Sequence, residues 1–179
     1  MWELQPERKL KPEGRTELGL AAASGNLDVF EDLIEVQGRS PNKVDMFFEL
    51  PLHIAASFGH HDICQLCLTY SSNLEGIDHE NFEGCTPLGC ALLFGHTEVA
   101  SLLIKNGANA CYSSKKTGNT PLHHAAWYGS LESVEYLLNA NLADANAKNN
   151  FGCTPFDMAP PGPVRSLLHK HMRHLGACQ

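Results

Sequence analysis

The stretch "GNTPLHHAAWYGSLESVEYLL", residues 118–138, decides the fold because it encodes two short helices in succession. Thr120 can cap a helix N-terminus, and Pro121 suits the first helical turn, where no intrahelical N–H partner is needed. Gly129 can take the left-handed conformation that ends a helix. Apolar residues then recur at helical spacing over 134–138. The stretch therefore predicts a helix, a glycine turn and a second helix.

The same unit recurs along the chain at nearly constant spacing, which is the signature of a repeat architecture. The units start at Thr16, Leu50, Thr86, Thr120 and Thr154, with spacings of 34, 36, 34 and 34 residues. A glycine lies two residues before four of these starts, and Phe48 takes its place in the second unit. Neither helix of a unit is long enough to be stable alone, so stacked neighbours must supply the core.

The units "GNTPLHHAAWYG" (118–129), "GCTPLGCALLFGH" (84–96) and "ADANAKNNFGCTP" (143–155) resemble the ankyrin repeat. The resemblance implies an all-α solenoid of antiparallel helix pairs joined by β-hairpin or turn loops. It covers residues 12–172, preceded by an N-terminal extension at 1–11 and followed by a C-terminal tail at 173–179. The expected repeat starts lie near Lys11, Asp45, Asn81, Lys115 and Asn149.

Both ends of the stack depart from the pattern. The first unit lacks the proline and histidine of the others, which suits an N-terminal capping repeat. The fifth unit meets Pro160, Pro161 and Pro163, which should shorten its first helix. The chain then resumes as "VRSLLHKHMRHL" (164–175), which predicts a terminal helix that caps the stack.

Composition excludes several classes of function. The chain has 179 residues, a formal net charge of -7 and only 13 Lys and Arg residues, which argues against nucleic-acid binding. No apolar run approaches the ~20 residues that span a bilayer, so no membrane association is expected. Seven cysteines without an evident disulfide ladder favour a reducing intracellular compartment, the cytoplasm or the nucleus.

Catalytic and metal chemistry find little support. The segment "HHDICQLC" (60–67) contains a C-x-x-C, and a metal-binding regulator or enzyme acting through it is the alternative of another class. In repeat register, however, Cys64 aligns with Val134 and Cys67 with Leu137, which are core positions. No phosphate loop or nucleophile elbow occurs. We predict no catalytic residue, no metal and no cofactor.

The resemblance places a partner-binding surface at the hairpin tips and at the residues before each central glycine, which line a concave groove. Aromatic side chains are favoured binding anchors because they bury large area at low entropy cost. The candidate residues are Met46, Phe47, Phe58, Phe82, Glu83, Leu93, Phe94, Trp127, Tyr128 and Phe151. The alternative is that Phe58 and Phe94 pack on neighbouring repeats.

Acidic residues near the hairpins suggest a rim around this surface. The expected rim residues are Asp45, Glu49, Asp78, Glu80 and Glu83. Such a rim would prefer a basic partner segment, whereas the aromatic residues would prefer an apolar one. The resemblance also implies that His53 and His123, in the "TPLH" position, are structural hydrogen-bonding groups that tie neighbouring loops together.

We expect a non-enzymatic module that binds another protein, as an adaptor or as a subunit of a larger assembly. It would be a monomer or part of a hetero-complex. The alternative is a stoichiometric inhibitor of a kinase or a transcription factor. The hairpin sequence "DANAKN" (144–149) resembles sites that asparaginyl hydroxylases modify, with Asn146 at the target position, although an asparagine there can also simply tie the hairpin.

Overall fold

The computed structural model describes residues 13–71 and 76–175, with side chains up to Met172 in the last helix. The predicted extension at 1–11, the repeat start near Lys11 and residues 176–179 of the predicted tail lie outside the described residues. The secondary structure of the described part is helical and contains no β-strand.

Ten α-helices alternate between two layers of the described chain. They are α1 (Glu17–Ser24), α2 (Leu27–Glu35), α3 (Pro51–Phe58), α4 (His61–Tyr70), α5 (Pro87–Leu93), α6 (Thr97–Lys105), α7 (Pro121–Tyr128), α8 (Leu131–Asn139), α9 (Pro155–Met158) and α10 (Pro163–Leu175). Odd-numbered helices pack on one another as an inner layer, and even-numbered helices form an outer layer. The predicted all-α solenoid of helix pairs is confirmed.

Side-chain caps determine where the inner helices begin. The hydroxyls of Thr16 and Thr86 accept hydrogen bonds from the backbone N–H groups of Gly19 (3.0 Å) and Gly89 (3.1 Å). These bonds satisfy donors that have no partner inside the helix. Leu50 cannot cap in this way, and the Nδ1 atom of His53 instead accepts the Leu50 N–H at 3.2 Å. The second unit therefore starts its helix without a threonine.

The hairpins between units are turns closed by backbone hydrogen bonds. The Asn81 N–H donates to the Cys85 carbonyl at 2.9 Å, and the Asn149 N–H donates to the Cys153 carbonyl at 3.0 Å. Phe48 adopts a φ of 56° at the place where the other units have a left-handed glycine. A side chain in that region costs about 1–2 kcal/mol, so the second hairpin is strained relative to the others.

The core lies between the two layers and runs the length of the stack. Its outer-helix side includes Phe30, Ile63 and Leu103, each no more than 1% exposed, and alanines on the inner helices allow close approach. Cys64 and Cys67 lie in this core at 0% and 1% exposure, and burial raises the pKa of the Cys64 thiol to about 12. Their predicted role as core residues is confirmed.

The fifth unit is shortened, as predicted. Its inner helix α9 has only four residues, whereas α7 has eight. Pro160 restricts the residue before it to extended backbone, and Ala159 indeed has a ψ of 133°. The terminal helix α10 then packs against α8 and closes the outer layer, which confirms the predicted capping helix.

Candidate protein-binding face

The candidate site lies on the solvent-facing side of the inner layer. We use the term inner face for the exposed side of α1, α3, α5 and α7 together with the hairpin tips at 46–48, 82–83, 116–117 and 150–151. The left-handed glycines that follow these helices turn the chain sharply into the outer layer. As a result, the last residues of each inner helix stand at the surface beside those of the next unit.

Three aromatic side chains before the central glycines are exposed on neighbouring helices. The exposed fractions are 39% for Phe94, 44% for Tyr128 and 53% for Trp127. The rings of Phe94 and Tyr128 lie 6.4 Å apart between centroids, so α5 and α7 present one aromatic cluster. We call Phe94, Trp127 and Tyr128 the aromatic cluster below.

Phe58 and Leu93 are only half-buried and belong less clearly to the exposed surface. The Phe58 ring packs against the core and stacks on His60, with centroids 6.1 Å apart. Leu93 is also of intermediate exposure. Both residues lie on the inner face, but part of their surface is already used by the protein's own packing.

The hairpin tips form a row along one edge of the inner face. The Phe82 N–H donates to the Phe47 carbonyl at 2.9 Å, and the Asn150 N–H donates to the Thr117 carbonyl at 3.0 Å. The Lys116 ammonium lies 4.7 Å from the centre of the Phe82 ring. The remaining predicted tip residues Met46, Glu83 and Phe151 are exposed. Neighbouring tips are thus linked directly, and their apolar side chains point to solvent.

The predicted acidic rim is wrong for two of its five residues. Asp45 and Glu49 are buried, at 8% and 3% exposure, and both pair with the guanidinium of Arg15. Burial opposes the charge of Arg15, but hydrogen bonds to Glu49 and Asp45 outweigh it and raise the Arg15 pKa. These carboxylates therefore join the first two units and are not available to a partner.

Two more of the predicted rim residues serve the backbone of the next unit. Asp78 accepts the Asn109 N–H at 3.0 Å, and Glu80 accepts the Lys115 N–H at 2.7 Å. Hairpin backbone donors need acceptors when sheet pairing is absent, and these carboxylates supply them. Glu83 remains as the exposed carboxylate at a hairpin tip, so the inner face offers little negative charge to a basic segment.

Charge is divided sharply between the inner and outer helices of the first four units. Helices α1, α3, α5 and α7 contain one Asp, Glu, Lys or Arg residue among them, Glu17. The outer helices α2, α4, α6 and α8 contain Lys105 and eight carboxylates, namely Asp28, Glu31, Asp32, Glu35, Asp62, Glu98, Glu132 and Glu135. Because a partner on the inner face would displace water from few charges, the electrostatic cost of covering it is low.

The histidines of the "TPLH" position hold the stack together. His53 accepts the Leu50 N–H at Nδ1 and donates from Nε2 to the His79 carbonyl at 2.8 Å. His123 makes the equivalent pair of bonds, to the Thr120 N–H (3.1 Å) and the Cys153 carbonyl (3.0 Å). Burial lowers the pKa of His53 to about 4, which keeps the ring neutral. Their expected structural role is confirmed.

No metal site is evident in residues 13–71 and 76–175, where no group of three or more His, Cys, Asp or Glu side chains could hold an ion. In the segment 60–67, His60 turns to the first unit and its Nε2 hydrogen-bonds the Ala23 carbonyl at 3.3 Å. The two cysteines of that segment are in the core. None of the helices described here is both long and apolar enough to cross a membrane.

One exposed apolar residue on the inner face was not among the candidates. Phe48 is 54% exposed at the second hairpin tip, directly beside the candidates Met46 and Phe47. Leu20 on α1 is also 37% exposed, but it occupies the place of Ile54 and Cys90, which are buried in the second and third units. Its position therefore belongs to the packing between inner helices and not to the inner face.

A stack of short helix pairs with an inner face of few charges and linked hairpin tips defines a helical repeat protein. The family model for ankyrin repeats (3 copies) matches residues 18–114 and 52–149, and the chain belongs to the ankyrin repeat family. This repeat is a protein–protein interaction fold, and binding rather than catalysis is the activity that the family indicates.

Several curated proteins are similar to this chain. The human transient receptor potential cation channel subfamily A member 1 is 32% identical over 134 residues, 73% of this chain and 11% of that protein. Tyrosine-protein kinase HTK16 of Hydra vulgaris is 32% identical over 88% of this chain and 21% of its own length. NF-kappa-B inhibitor delta of Mus musculus is 28% identical over 192 residues, which cover 92% of this chain and 58% of that protein. The chain thus spans between 11% and 58% of these relatives.

Proposed function

We propose that this protein is a non-enzymatic interaction module that binds an apolar, weakly charged segment of a partner protein on its inner face. It acts as an adaptor or as a subunit of a larger assembly. The observation that carries the proposal is the exposed aromatic cluster on the inner helices α1, α3, α5 and α7, which together carry a single formal charge. Contiguous exposed apolar area of this kind is characteristic of interfaces.

Three features support an apolar rather than a basic partner segment. Asp45 and Glu49 are buried and both pair with Arg15, and Asp78 and Glu80 accept backbone hydrogen bonds. The carboxylates of the outer helices lie on the opposite layer. Aromatic residues such as Trp and Tyr are the side chains that most often dominate binding energy. The free thiols buried in the core further support the expected intracellular location.

The test is affinity capture from the native cell with quantitative mass spectrometry. Wild type is compared with Trp127→Ala/Tyr128→Ala and with the control Val29→Ala/Leu131→Ala, which removes exposed apolar side chains from the outer helices. We expect one protein or complex to be lost from the inner-face variant and kept by the control. Retention by the inner-face variant and by a Met46→Ala/Phe82→Ala tip variant would contradict the proposal.

A second measurement checks the chemistry of the interaction. Once the partner is identified, its affinity is measured at about 0.05 M and about 0.5 M NaCl. An apolar interface changes by less than about threefold over this range, whereas one held by exposed ion pairs weakens much more. A strongly salt-dependent affinity would favour the basic segment and contradict the apolar one.

A second candidate function is stoichiometric inhibition of a transcription factor or a kinase. The observation in its favour is the similarity to NF-kappa-B inhibitor delta and to human NF-kappa-B inhibitor zeta, over 92% and 82% of this chain. If the captured partner is such a protein, its activity should fall to a minimum at one equivalent of the wild-type chain. Unchanged partner activity in the complex would favour the adaptor role.

A further inference from the structure

The inner layer is incomplete at its C-terminal end. Helix α9 stops after four residues, whereas α7 beside it continues for eight, a difference of about 6 Å of helix. The shortage is built into the chain, because Val134 follows Ala125 by nine residues but Val164 follows Ala159 by only five. The fifth unit thus has no residues with which to complete the helix, and we use the term gap for the four helical residues that α9 lacks relative to α7.

The exposed fractions of side chains at the same position of different units are consistent with this gap. Ser57 and Leu93 occupy the place of Trp127 in the second and third units. Ser57 is 6% exposed and Leu93 is half-buried, and in both units a full-length inner helix follows. Trp127, which is followed by the shortened α9, is 53% exposed. The largest side chain at this position is therefore the least covered.

The turns after the inner helices do not show this difference. A side chain added at Gly25 or Gly59 would meet the ring of His60 or His96 at 2.6–2.7 Å. At Gly95, which the full-length α7 follows, the nearest atom is the Oγ of Ser130 at 3.5 Å, and at Gly129 it is the Cγ of Pro160 at 3.7 Å. The close approach at the first two turns therefore comes from the histidine rings and not from the length of the next inner helix.

We propose that a helix of a partner protein, apolar and uncharged on the side it presents, packs against Trp127 and Tyr128 and takes the place of the missing turn of α9. This inference rests on the proposed function, because it names the segment that occupies one part of the inner face. Charge complementarity supports an uncharged helix face, since α5 and α7 carry no Asp, Glu, Lys or Arg residue.

The probe is a displayed library of 16-residue peptides, kept helical by Ala, Glu and Lys and randomised at positions i, i+3, i+4 and i+7 of one face. Selection uses the full-length chain, and affinities of enriched peptides are measured by fluorescence anisotropy. We expect Leu, Ile, Met and Phe at the randomised positions. A pool without enrichment, or one enriched in charged residues at those positions, would overturn the inference.

Three variants locate the bound peptide. Trp127→Ala should weaken binding at least tenfold, whereas Val29→Ala, which removes a 47% exposed apolar side chain from outer helix α2, should leave it within twofold. The third variant replaces residues 160–163 by "AAAGSLES", which restores the length of the fourth unit and should fill the gap. In a Trp2→Phe background, which leaves Trp127 as the single tryptophan, this repair should shift the emission to the blue and abolish peptide binding.

The outcomes separate this inference from the proposed function. If enriched peptides bind equally well to Trp127→Ala, while that variant combined with Tyr128→Ala still loses the native partner, the inference fails and the proposed function stands. If the native partner is also retained by the inner-face and tip variants, the proposed function itself fails. Self-association of the wild type that disappears in Trp127→Ala, measured by sedimentation, would assign the gap to a second copy and overturn the inference.

Discussion

At the residue scale, Arg15 makes two ion pairs that are largely buried. Its guanidinium is 8% exposed and pairs with Asp45 and Glu49, whose side chains are 0% and 4% exposed. A buried carboxylate that loses its cation is strongly destabilising, because its charge has neither water nor a partner. Arg15 thus joins the first unit to the second by more than apolar packing.

We predict that Arg15→Leu lowers the free energy of unfolding by about 3 kcal/mol, measured by urea denaturation followed by circular dichroism. The matched control is Arg39→Leu, which removes an ion pair with Glu17 whose side chains are 51% and 60% exposed. Its effect should stay below about 0.5 kcal/mol. Equal effects of the two substitutions would show that the buried network does not stabilise the fold.

His53 makes the stability of the protein depend on pH. Burial lowers its pKa from the ordinary 6.5 to about 4, so the unfolded chain binds more protons than the native protein between these values. Stability is therefore fully present above pH 6.5 and is lost as the pH falls towards 4. We predict a loss of about 2 kcal/mol from His53 between pH 7.5 and pH 5.0.

The check is urea denaturation of wild type and His53→Gln at both pH values. Gln can keep a hydrogen bond to the His79 carbonyl but does not titrate. Between pH 7.5 and pH 5.0, the free energy of unfolding of the variant should therefore fall by about 2 kcal/mol less than that of wild type. His124, whose pKa burial also lowers to about 4, remains in both proteins and contributes equally. An identical pH dependence would show that His53 is not protonated on unfolding in this range.

At the element scale, each hairpin depends on a polar side chain at its first position. The Asn149 Oδ1 accepts the N–H groups of Phe151 and Cys153 at 3.0 Å, and its Nδ2 donates to Asn119 of the preceding hairpin at 2.8 Å. Asn81 makes the equivalent bonds with Glu83, Cys85 and Glu49. These residues hold a hairpin together without strand pairing.

We predict that Asn149→Ala lowers the free energy of unfolding by about 2 kcal/mol, because it leaves two partly buried hairpin N–H groups without their acceptor and removes the bond to Asn119. Asn146→Ala is the matched control: Asn146 is exposed on the same loop, and the change should stay within about 0.5 kcal/mol. Thermal and urea denaturation both measure the difference. A larger effect at Asn146 would identify that asparagine, and not Asn149, as the residue that ties the hairpin.

At the scale of the whole molecule, the charge of the outer layer should affect stability. Four of its five helices, α2, α4, α6 and α8, carry eight carboxylates and one lysine, and four of the carboxylates lie on α2, whereas the cations Arg165 and Lys170 lie on the terminal helix α10. Like charges held close together repel one another in the folded state, and dissolved salt screens this repulsion. The outer layer therefore favours solubility over stability.

We predict that raising NaCl from about 0.02 M to about 0.5 M increases the free energy of unfolding by on the order of 1 kcal/mol. The variant Glu31→Lys reduces the repulsion on α2 and should show a smaller response to salt. Urea denaturation at the two salt concentrations gives both values. A stability that falls with added salt would mean that attractive ion pairs outweigh the repulsion.

Much of the fold could be predicted because the repeat concentrates its signals in a few positions. Thr-Pro at the helix start, the central glycine and the apolar positions of the second helix each act locally, so the sequence shows them directly. The same holds for the shortened α9, since proline excludes helix wherever it occurs. Repeat register also placed Cys64 and Cys67 correctly, because equivalent positions share a core.

What the sequence determined by itself is the period, the helix pairs and the aromatic character of the inner face, since these depend on short-range geometry and on residue type. Tertiary structure alone decided which charged side chains are exposed to a binding partner and which are buried in ion pairs. Arg15 meets Asp45 and Glu49 across 30 and 34 residues, and a stack of units brings such residues together without any local signal. It also decided the exposure of Trp127, which lies on α7 beside the shortened α9.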